Sequence, residues 1–509
     1  MNGIKAKVWA VLLTVTMMIG ISGCGEGTAD TGSSGEGGSQ EQTASGSEDV
    51  PTVTYSMLNA YDISDIDTVE AAINDIIVER YGIKLHLNYC EMGNWAQQAN
   101  MLLSGDETDL IILYGSTPLI TYVKNGQILA LDDYFANSSD EFKEAFYEVC
   151  TDEDLRCMTI DGKLYGVANS GGDDIVLNID ENIAQEFGIE PMQKMTLDDI
   201  DVFLEKAHEA YPDRYAIMPQ SGTTMMNARP YWDGLGDNKM IGVIPFYGDD
   251  YTVQNIFEMD EFKEFCSYTR EWYEKGYMMA DCMSNTEMSD GLIRSGKAIC
   301  SFNNGAFVNE ENFHKDGFIT ALLDGPKADT TAVSGICWGI NANSKNPDAA
   351  WKMMEIMYCD EEVIKLLVNG VEGVHYVVND DGTASFPEGK DQTNNGYGAM
   401  AEEFLFPGRA LSYPRQELGA SYYADRKVFC DSCEKNAAYG MFFDSSTVTD
   451  EYSACCNVMD KYYAALMLGA VSLDDVSEQA TEELKAAGLD KVIEEKQRQL
   501  DAWLETYGK

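Results

Sequence analysis

From Val53 onward the chain alternates short apolar runs with amphipathic stretches, and this alternation restricts the possible architecture more than any other feature. Val53 to Leu58 reads as extended. Ile66, Val69, Ile73, Ile76 and Ile77 fall at helical spacing, Ile83 to Leu87 is extended again, Trp95 to Leu103 reads helical, and Leu110 to Leu113 is a strand without a polar position. A strand, helix, strand, helix, strand order builds a parallel sheet covered on both faces. Ligands of such sheets sit at the carboxyl ends of the strands, which puts Asn59 to Asp62 and Tyr114 to Thr117 on the rim of a cleft.

Further helices are signed by their caps. Thr196 precedes a stripe of Leu197, Ile200, Phe203, Leu204, Ala207 and Tyr211 that Pro212 closes. Asn346-Pro347 supplies a cap and a first helical residue, with Ala350, Met353, Met354 and Met357 turned inward as core. The chain ends in a helical pair, Ser472 to Ala487 and Leu489 to Tyr507, with Gly488 at the C-cap between them. No internal repeat is visible.

The N-terminus sets the compartment. Lys5 and Lys7 precede an apolar run from Val8 to Ile21 that is too short for a comfortable bilayer span, so residues 1–23 read as a secretion signal. Ile21-Ser22-Gly23-Cys24 resembles the lipobox of bacterial lipoproteins, which makes the Cys24 thiol the expected carrier of a diacylglycerol. The alternative is an ordinary signal peptide with an incidental cysteine. Residues 24–50 are rich in Gly, Ser, Thr, Glu and Asp without an aromatic, and read as a lipid-anchored flexible linker with a reach of about 28 Å. The working part begins near Pro51.

A chain of 509 residues exceeds one compact core and implies at least two lobes. Its 35 Lys and Arg against 86 Asp and Glu leave a net charge of −51. Nucleic acid is a poor partner, because no basic stripe forms, and a neutral or cationic small molecule fits this field better than an anion. The same charge also keeps an exported protein soluble.

Twelve cysteines besides Cys24 are scattered without the spacing of a small disulfide scaffold, so buried thiols and disulfides both stay open. Adjacent Cys455 and Cys456 are awkward partners for Cys430-x-x-Cys433 in a tetrahedral zinc site, and a disulfide between the two pairs fits better. His86, His208, His314 and His375 stand at no metal-ligand spacing, and neither a phosphate loop nor a serine elbow occurs. The acidic turns Asn379 to Gly382 and Gly248 to Asp250 carry too few carboxylates for calcium and read as solvated turns. No cofactor and no metal are expected.

Several modest motifs follow in a telling order: Asp109-Leu-Ile-Ile112, Asp161 to Val167, the strand Ile175 to Asp180, Phe187-Gly-Ile189, Ser295 to Cys300, Gly335 to Asn341, and Ser344 to Ala350. Behind a lipobox this order resembles the extracellular solute-binding protein family 1, the lipid-anchored substrate receptors of bacterial ABC importers. Asn369 to Tyr376 and the tail Gly488 to Trp503 are similar to the branch with a DUF3502-type C-terminal region, whose members are commonly described as sugar-binding. The resemblance implies an α/β, two-lobed periplasmic-binding-protein-like fold of type II with a hinge between the lobes. Lobe 1 is expected at 51–170 plus 320–367, and lobe 2 at 171–319 plus 368–509. It further implies a monomer that closes on a solute, most simply an oligosaccharide, and delivers it to a membrane permease without altering it.

A sugar asks for flat aromatic faces and for carboxylates or amides that satisfy many hydroxyls. Lobe 1 offers Asp62, Trp95, Tyr114 and Trp338; lobe 2 offers Tyr231, Trp232, Asn303 and Glu372. Trp232 lies in the breaker-rich Arg229 to Gly236 stretch, where an exposed indole asks for a partner. Trp95 and Trp338 lie in periodic segments that suit core packing better, and Glu372, beside two glycines, equally suits a hinge. Two rivals remain: a lipid-anchored glycoside hydrolase, which needs two carboxylates about 5 to 9 Å apart, and a sensory receptor of the same fold.

Overall fold

The computed structural model describes residues 50–115, 117–220, 225, 231–285, 287, 289–304 and 317–508. The expected signal, Cys24 and the linker up to residue 49 lie outside them. Along the chain run β1 (Thr52–Asn59), α1 (Ile66–Tyr81), β2 (Lys84–Glu91), α2 (Trp95–Ser104), β3 (Leu110–Tyr114) and α3 (Asp140–Val149). Next come β4 (Asp173–Asp180), α4 (Leu197–Ala210), β5 (Tyr215–Met218), α5 (Asp260–Glu274), β6 (Ala298–Asn304), β7 (Phe318–Lys327) and β8 (Ile336–Ile340). The rest is chiefly helical: α6 (Pro347–Cys359), α7 (Glu361–Asn369), α8 (Tyr422–Ser432), α9 (Thr449–Met467), α10 (Leu473–Ala487) and α11 (Leu489–Tyr507).

The main strands form two four-stranded sheets. The first has the order β8-β3-β1-β2, with β1 parallel to both neighbours and β8 antiparallel to β3. Leu110 to Leu113 of β3 are all buried, as a strand covered on both faces requires. The second sheet has the order β7-β4-β6-β5, with β4 antiparallel to both neighbours and β6 parallel to β5. Register shifts between Leu322 and Asp324 and between Asp324 and Lys327 bend the end of β7, and so present these two charged residues beside the sheet.

Each sheet has its own apolar core. Val53 to Ala168 and Ala328 to Val368 supply most of the first; Ile175 to Leu323 and Phe443 to Val492 supply the second. The chain therefore crosses between cores at 169–174, 324–327 and 440–442. The first two crossings run close together, a Cβ on Gly325 sitting 2.9 Å from the Asp173 carbonyl oxygen, and the first is tightly packed: a Cβ on Gly171 would sit 2.0 Å from the Ala332 carbonyl oxygen, and one on Gly172 would sit 2.3 Å from Cys433 Sγ.

One grouping differs from the lobe boundaries read from sequence. Tyr397, Ala399, Leu405, Phe406, Cys433 and Tyr439, assigned with the second half, pack into the first core. Apart from α8, residues 370–439 are turns, two-residue strands and short 3₁₀ runs with little periodicity, so nothing local marks which sheet they cover.

The Thr196 and Gly488 signals are realised in detail, whereas Asn346 precedes α6 without a side-chain cap bond, its Nδ2 donating to the Thr52 carbonyl at 3.1 Å. Thr196 and Asp199 form a capping box at α4, the Thr196 hydroxyl accepting from the Asp199 amide at 3.2 Å and the Asp199 carboxylate accepting from the Thr196 amide at 2.9 Å. Gly488 joins α10 to α11 with φ +105°, and a Cβ there would meet the Glu451 side chain at 2.5 Å. Along α11, Lys496 is fully buried; its ammonium donates to Asp237 Oδ2 at 3.1 Å and to the Ile241 and Gly242 carbonyls at 2.9 and 2.8 Å. A buried cation is tolerated where its donors are all satisfied in this way.

All twelve described cysteines are free. Cys433 belongs to the first core and Cys455 to the second, so the disulfide preferred over zinc for the 430/433 and 455/456 pairs does not form, and the buried-thiol reading holds. Among the described residues no group of three or more His, Cys, Asp or Glu is arranged to hold a metal ion, and no helix is long and apolar enough to cross a membrane.

Candidate functional site

The carboxyl ends of the parallel strands carry the residues best placed to meet a ligand. In the first sheet, β1 ends at Asn59, and the next amide, Ala60 N–H, donates to both carboxylate oxygens of Glu402 at 3.1 and 3.3 Å. Glu402 is 3% exposed and sits at a break, φ −125° and ψ 31°, in the 3₁₀ run Ala399–Leu405. Burial pushes its carboxyl up to about 7, the Ala60 amide opposing. Tyr114, at the end of β3, is half-buried with its ring 6.5 Å from that of Phe404, and burial together with the nearby Glu402 charge raises its phenol.

Asp62 stands on the same rim, but its carboxylate is committed to the backbone. It accepts from Ser64 N at 3.0 Å and Gly396 N at 2.6 Å, bonds that pull it below the usual carboxylate range, those from Ser64 most. Three residues on, Asp65 holds His375. Val371 N donates to His375 Nδ1 at 3.0 Å, so the ring proton is assigned to Nε2, which donates to Asp65 Oδ2 at 3.1 Å. His375 is completely buried, and the Asn369 to Tyr376 motif thus ties its own turn to the loop after β1.

At the second sheet, β5 and β6 end at Met218 and Asn304, before residues 221–224, 226–230 and 305–316, which lie outside the description. Gln220 Nε2 donates to Asn303 Oδ1 at 2.9 Å, so Asn303 is positioned at this end. Nearby, half-buried Tyr231 accepts the Phe246 amide at its carbonyl, 2.9 Å away, and burial with the Asp324 and Glu264 charges pushes its phenol up to about 12. Tyr247 Oη donates to Asp324 Oδ1 at 2.7 Å, while Lys327 Nζ donates to Asp324 Oδ2 at 2.8 Å and lies 4.7 Å from the Phe246 ring centroid. Phe246, Asp324 and Lys327 are buried, and the half-buried rings of Tyr231 and Tyr247 beside them are the faces that can stack on a sugar ring.

Of the eight residues read from sequence, Asp62 follows β1 and Tyr114 ends β3 in the first sheet, Asn303 lies at the end of β6 in the second, and Tyr231 lies beside the Asp324 charge near the end of β7. The three tryptophans do not join them. Trp232 is 1% exposed and packs edge-on against Phe262 at 5.5 Å, because the short strand Trp232–Asp233, paired with Ile244–Pro245, turns the indole into the second core. Trp95 and Trp338 are buried in the first core, so none of the three presents a face to a ligand. Glu372 is exposed, and its backbone pairs with Tyr376 in the turn around His375. The acidic turns cap themselves, Asp381 accepting from Thr383 N at 3.0 Å and Asp250 from Thr252 N at 2.9 Å. Sequence reasoning missed Glu402, Phe404, Tyr247 and Asp324; the adjacent aromatics Phe246 and Tyr247 before Gly248 were the one local signal.

Comparison with known proteins agrees with this architecture. The family model described as bacterial extracellular solute-binding protein matches residues 65–364, and a domain of unknown function, DUF3502, matches 437–505. A carbohydrate ABC transporter substrate-binding protein of Streptococcus pneumoniae serotype 4 is 23% identical over 520 residues, covering 99% of both chains. Among solved structures, the N-glycan transport solute binding protein NgtS of S. pneumoniae superposes with a TM-score of 0.76 at 19% identity, covering 90% of this chain and 99% of that one. Its complex with Man1GlcNAc gives 0.72 at 19% identity, covering 90% and 100%. A solute-binding protein from Bifidobacterium longum infantis, described as binding HMO, gives 0.57 at 17% identity, covering 90% and 99%. The shared fold is the two-lobed one of periplasmic binding proteins.

Proposed function

The chain belongs to the bacterial extracellular solute-binding protein family, and from that membership we propose that it captures a saccharide outside the cell and delivers it, unaltered, to an ABC importer. The observation that carries the saccharide is the end-to-end match, 99% of both chains, to a carbohydrate transporter's substrate-binding protein. The half-buried polar and aromatic residues near the strand ends support it: Tyr114 with Phe404 beside the first sheet, Asn303 with Tyr231 and Tyr247 beside the second.

In this reading the two sheets with their cores are lobes that move about the crossings at 169–174, 324–327 and 440–442, and the solute is clamped by groups from both. Cys24 carries the lipid, the linker holds the body off the membrane, and the protein works as a monomer beside its permease. Asp62 acts by fixing the Gly396 turn, and Tyr114, Tyr231 and Asn303 reach the solute.

One observation favours the glycoside hydrolase, the raised carboxyl of Glu402, which is the protonation state a general acid needs. Against it, both Glu402 oxygens accept the Ala60 amide, and the matched relatives are described as binding proteins. Thermal-shift measurements against mono- and oligosaccharides, peptides and polyamines test the proposal. A rise in melting temperature with saccharides alone supports it, and a rise with peptides or polyamines alone refutes it.

A further inference from the structure

Beside the third crossing, a cavity of about 300 Å³ separates parts of the two lobes. Ile120 and Ile160 of the first core line one side, and Asp444, Gln499 and Trp503 line the other. None of the residues assigned above to the solute lines it. The stretch 437–505, which matches a domain of unknown function, supplies the second side.

Discrete contacts join the two sides. The short helix Leu119–Lys124 buries Leu119, Ile120 and Tyr122 in the first core, and this fixes Lys124 at its last turn. Lys124 Nζ donates to Asp161 Oδ2 of the same lobe at 2.8 Å and reaches Asp444 Oδ2 at 2.7 Å. Asp444 follows Phe443 of the second core, and α11 holds its backbone: the Asp444 amide donates to Gln499 Oε1 at 2.9 Å, and its carbonyl accepts from Gln499 Nε2 at 2.8 Å. Burial alone would raise the Asp444 carboxyl, but the bonds from Lys124 and Ser446 hold it below its usual range, as a formed ion pair requires. Farther along α11, the Arg156 guanidinium of the first lobe lies 5.4 Å from the Tyr507 ring centroid. Between them runs the crossing itself, where a Cβ on Gly440 would meet Arg156 Cβ at 2.6 Å and the Trp503 ring at 3.1 Å. The other charges at the cavity, Glu495 and Arg498, pair with each other at 2.7 Å within α11.

We propose that the C-terminal region is an interlobe latch, in which Asp444, held by Gln499 of α11, engages Lys124 and so biases the angle between the lobes. This rests on the reading above that the two cores are lobes moving about the crossings. A packed interface resists any change of angle, whereas an ion pair beside a cavity can part without opening a core. Lys124 and Asp444 keep 33% and 27% of their side-chain surface in water, so the pair contributes modestly. That suits a contact made and broken in each cycle, since a small difference between two states is enough to shift their populations.

Double electron–electron resonance on the solute-free protein tests this. Spin labels carried on unnatural residues at the exposed positions 101 and 202, and in a second sample 101 and 283, report the interlobe distance without touching the native thiols. Lys124→Glu and Asp444→Lys are each expected to lower the share of the wild-type distance about threefold. The double variant, with the charges exchanged, is expected to restore it. Lys263→Glu, which breaks only the exposed pair with Asp260 inside α5, is expected to leave the distances unchanged. Should either reversal fail to fold, Lys124→Gln and Asp444→Asn decide in its place, with a smaller shift in the same direction. Wild-type distances in both single variants overturn the proposal. So does an exchanged pair that fails to restore them, or a Lys263→Glu shift as large as those of the latch variants. The measurement needs no solute, so a protein that binds no saccharide refutes the proposed function without deciding the latch.

Discussion

Glu402 and the amide of Ala60 meet across 342 residues of sequence, both carboxylate oxygens lying within 3.1 and 3.3 Å of the nitrogen. The contact ties the 3₁₀ run after α7 to the end of β1, and buries a carboxyl without a cation beside it.

A pH dependence follows from that burial. The folded pKa of about 7 lies above the ordinary value of 4.5, so the folded protein binds more protons than the unfolded chain between these values. Stability from this group is complete below pH 4.5 and falls as pH rises toward 7, by on the order of 3 kcal/mol in total. Glu402→Gln is expected to flatten this part of the melting-temperature profile, as thermal unfolding from pH 4.5 to 8 reads directly.

Trp232 and Tyr247 should behave oppositely. Trp232→Ala removes a fully buried indole and is expected to cost about 3–5 kcal/mol, lowering the melting temperature. Tyr247→Phe loses only the hydroxyl bonded to Asp324 and is expected to weaken saccharide binding while moving the melting temperature little. Paired calorimetry and thermal unfolding of the two variants check this.

The terminal helix is expected to be integral to the second lobe. Lys496→Ala leaves the Asp237 carboxylate buried without its cation and should destabilise by about 3–5 kcal/mol. Denaturant unfolding of the variant measures it.

His375 is expected to matter through the turn it holds. His375→Ala removes the link between the Val371 amide and Asp65 and opens a cavity, so amide protons at 371 and 395–398 should exchange faster while those of α11 do not change.

How much of this was legible in the sequence depended on range. The first α/β unit, the Thr196 cap and the Gly488 joint rest on contacts within a few residues, and periodicity or turn chemistry displays them. Trp232 was misplaced because breakers around it suggested an exposed loop, whereas the two-residue pairing with Ile244–Pro245 is too short to show as alternation. Glu402 and Asp324 were invisible for another reason: Ala60 and Tyr247 are 342 and 77 residues away, and an isolated acid among 86 carries no local mark.

Capture without conversion is decided by titration calorimetry with neutral oligosaccharides, followed by mass spectrometry of the recovered glycan. Saturable binding to one class of saccharide with its mass unchanged is the predicted result. Shortened glycan in the recovered material, or no heat from any saccharide, would contradict it.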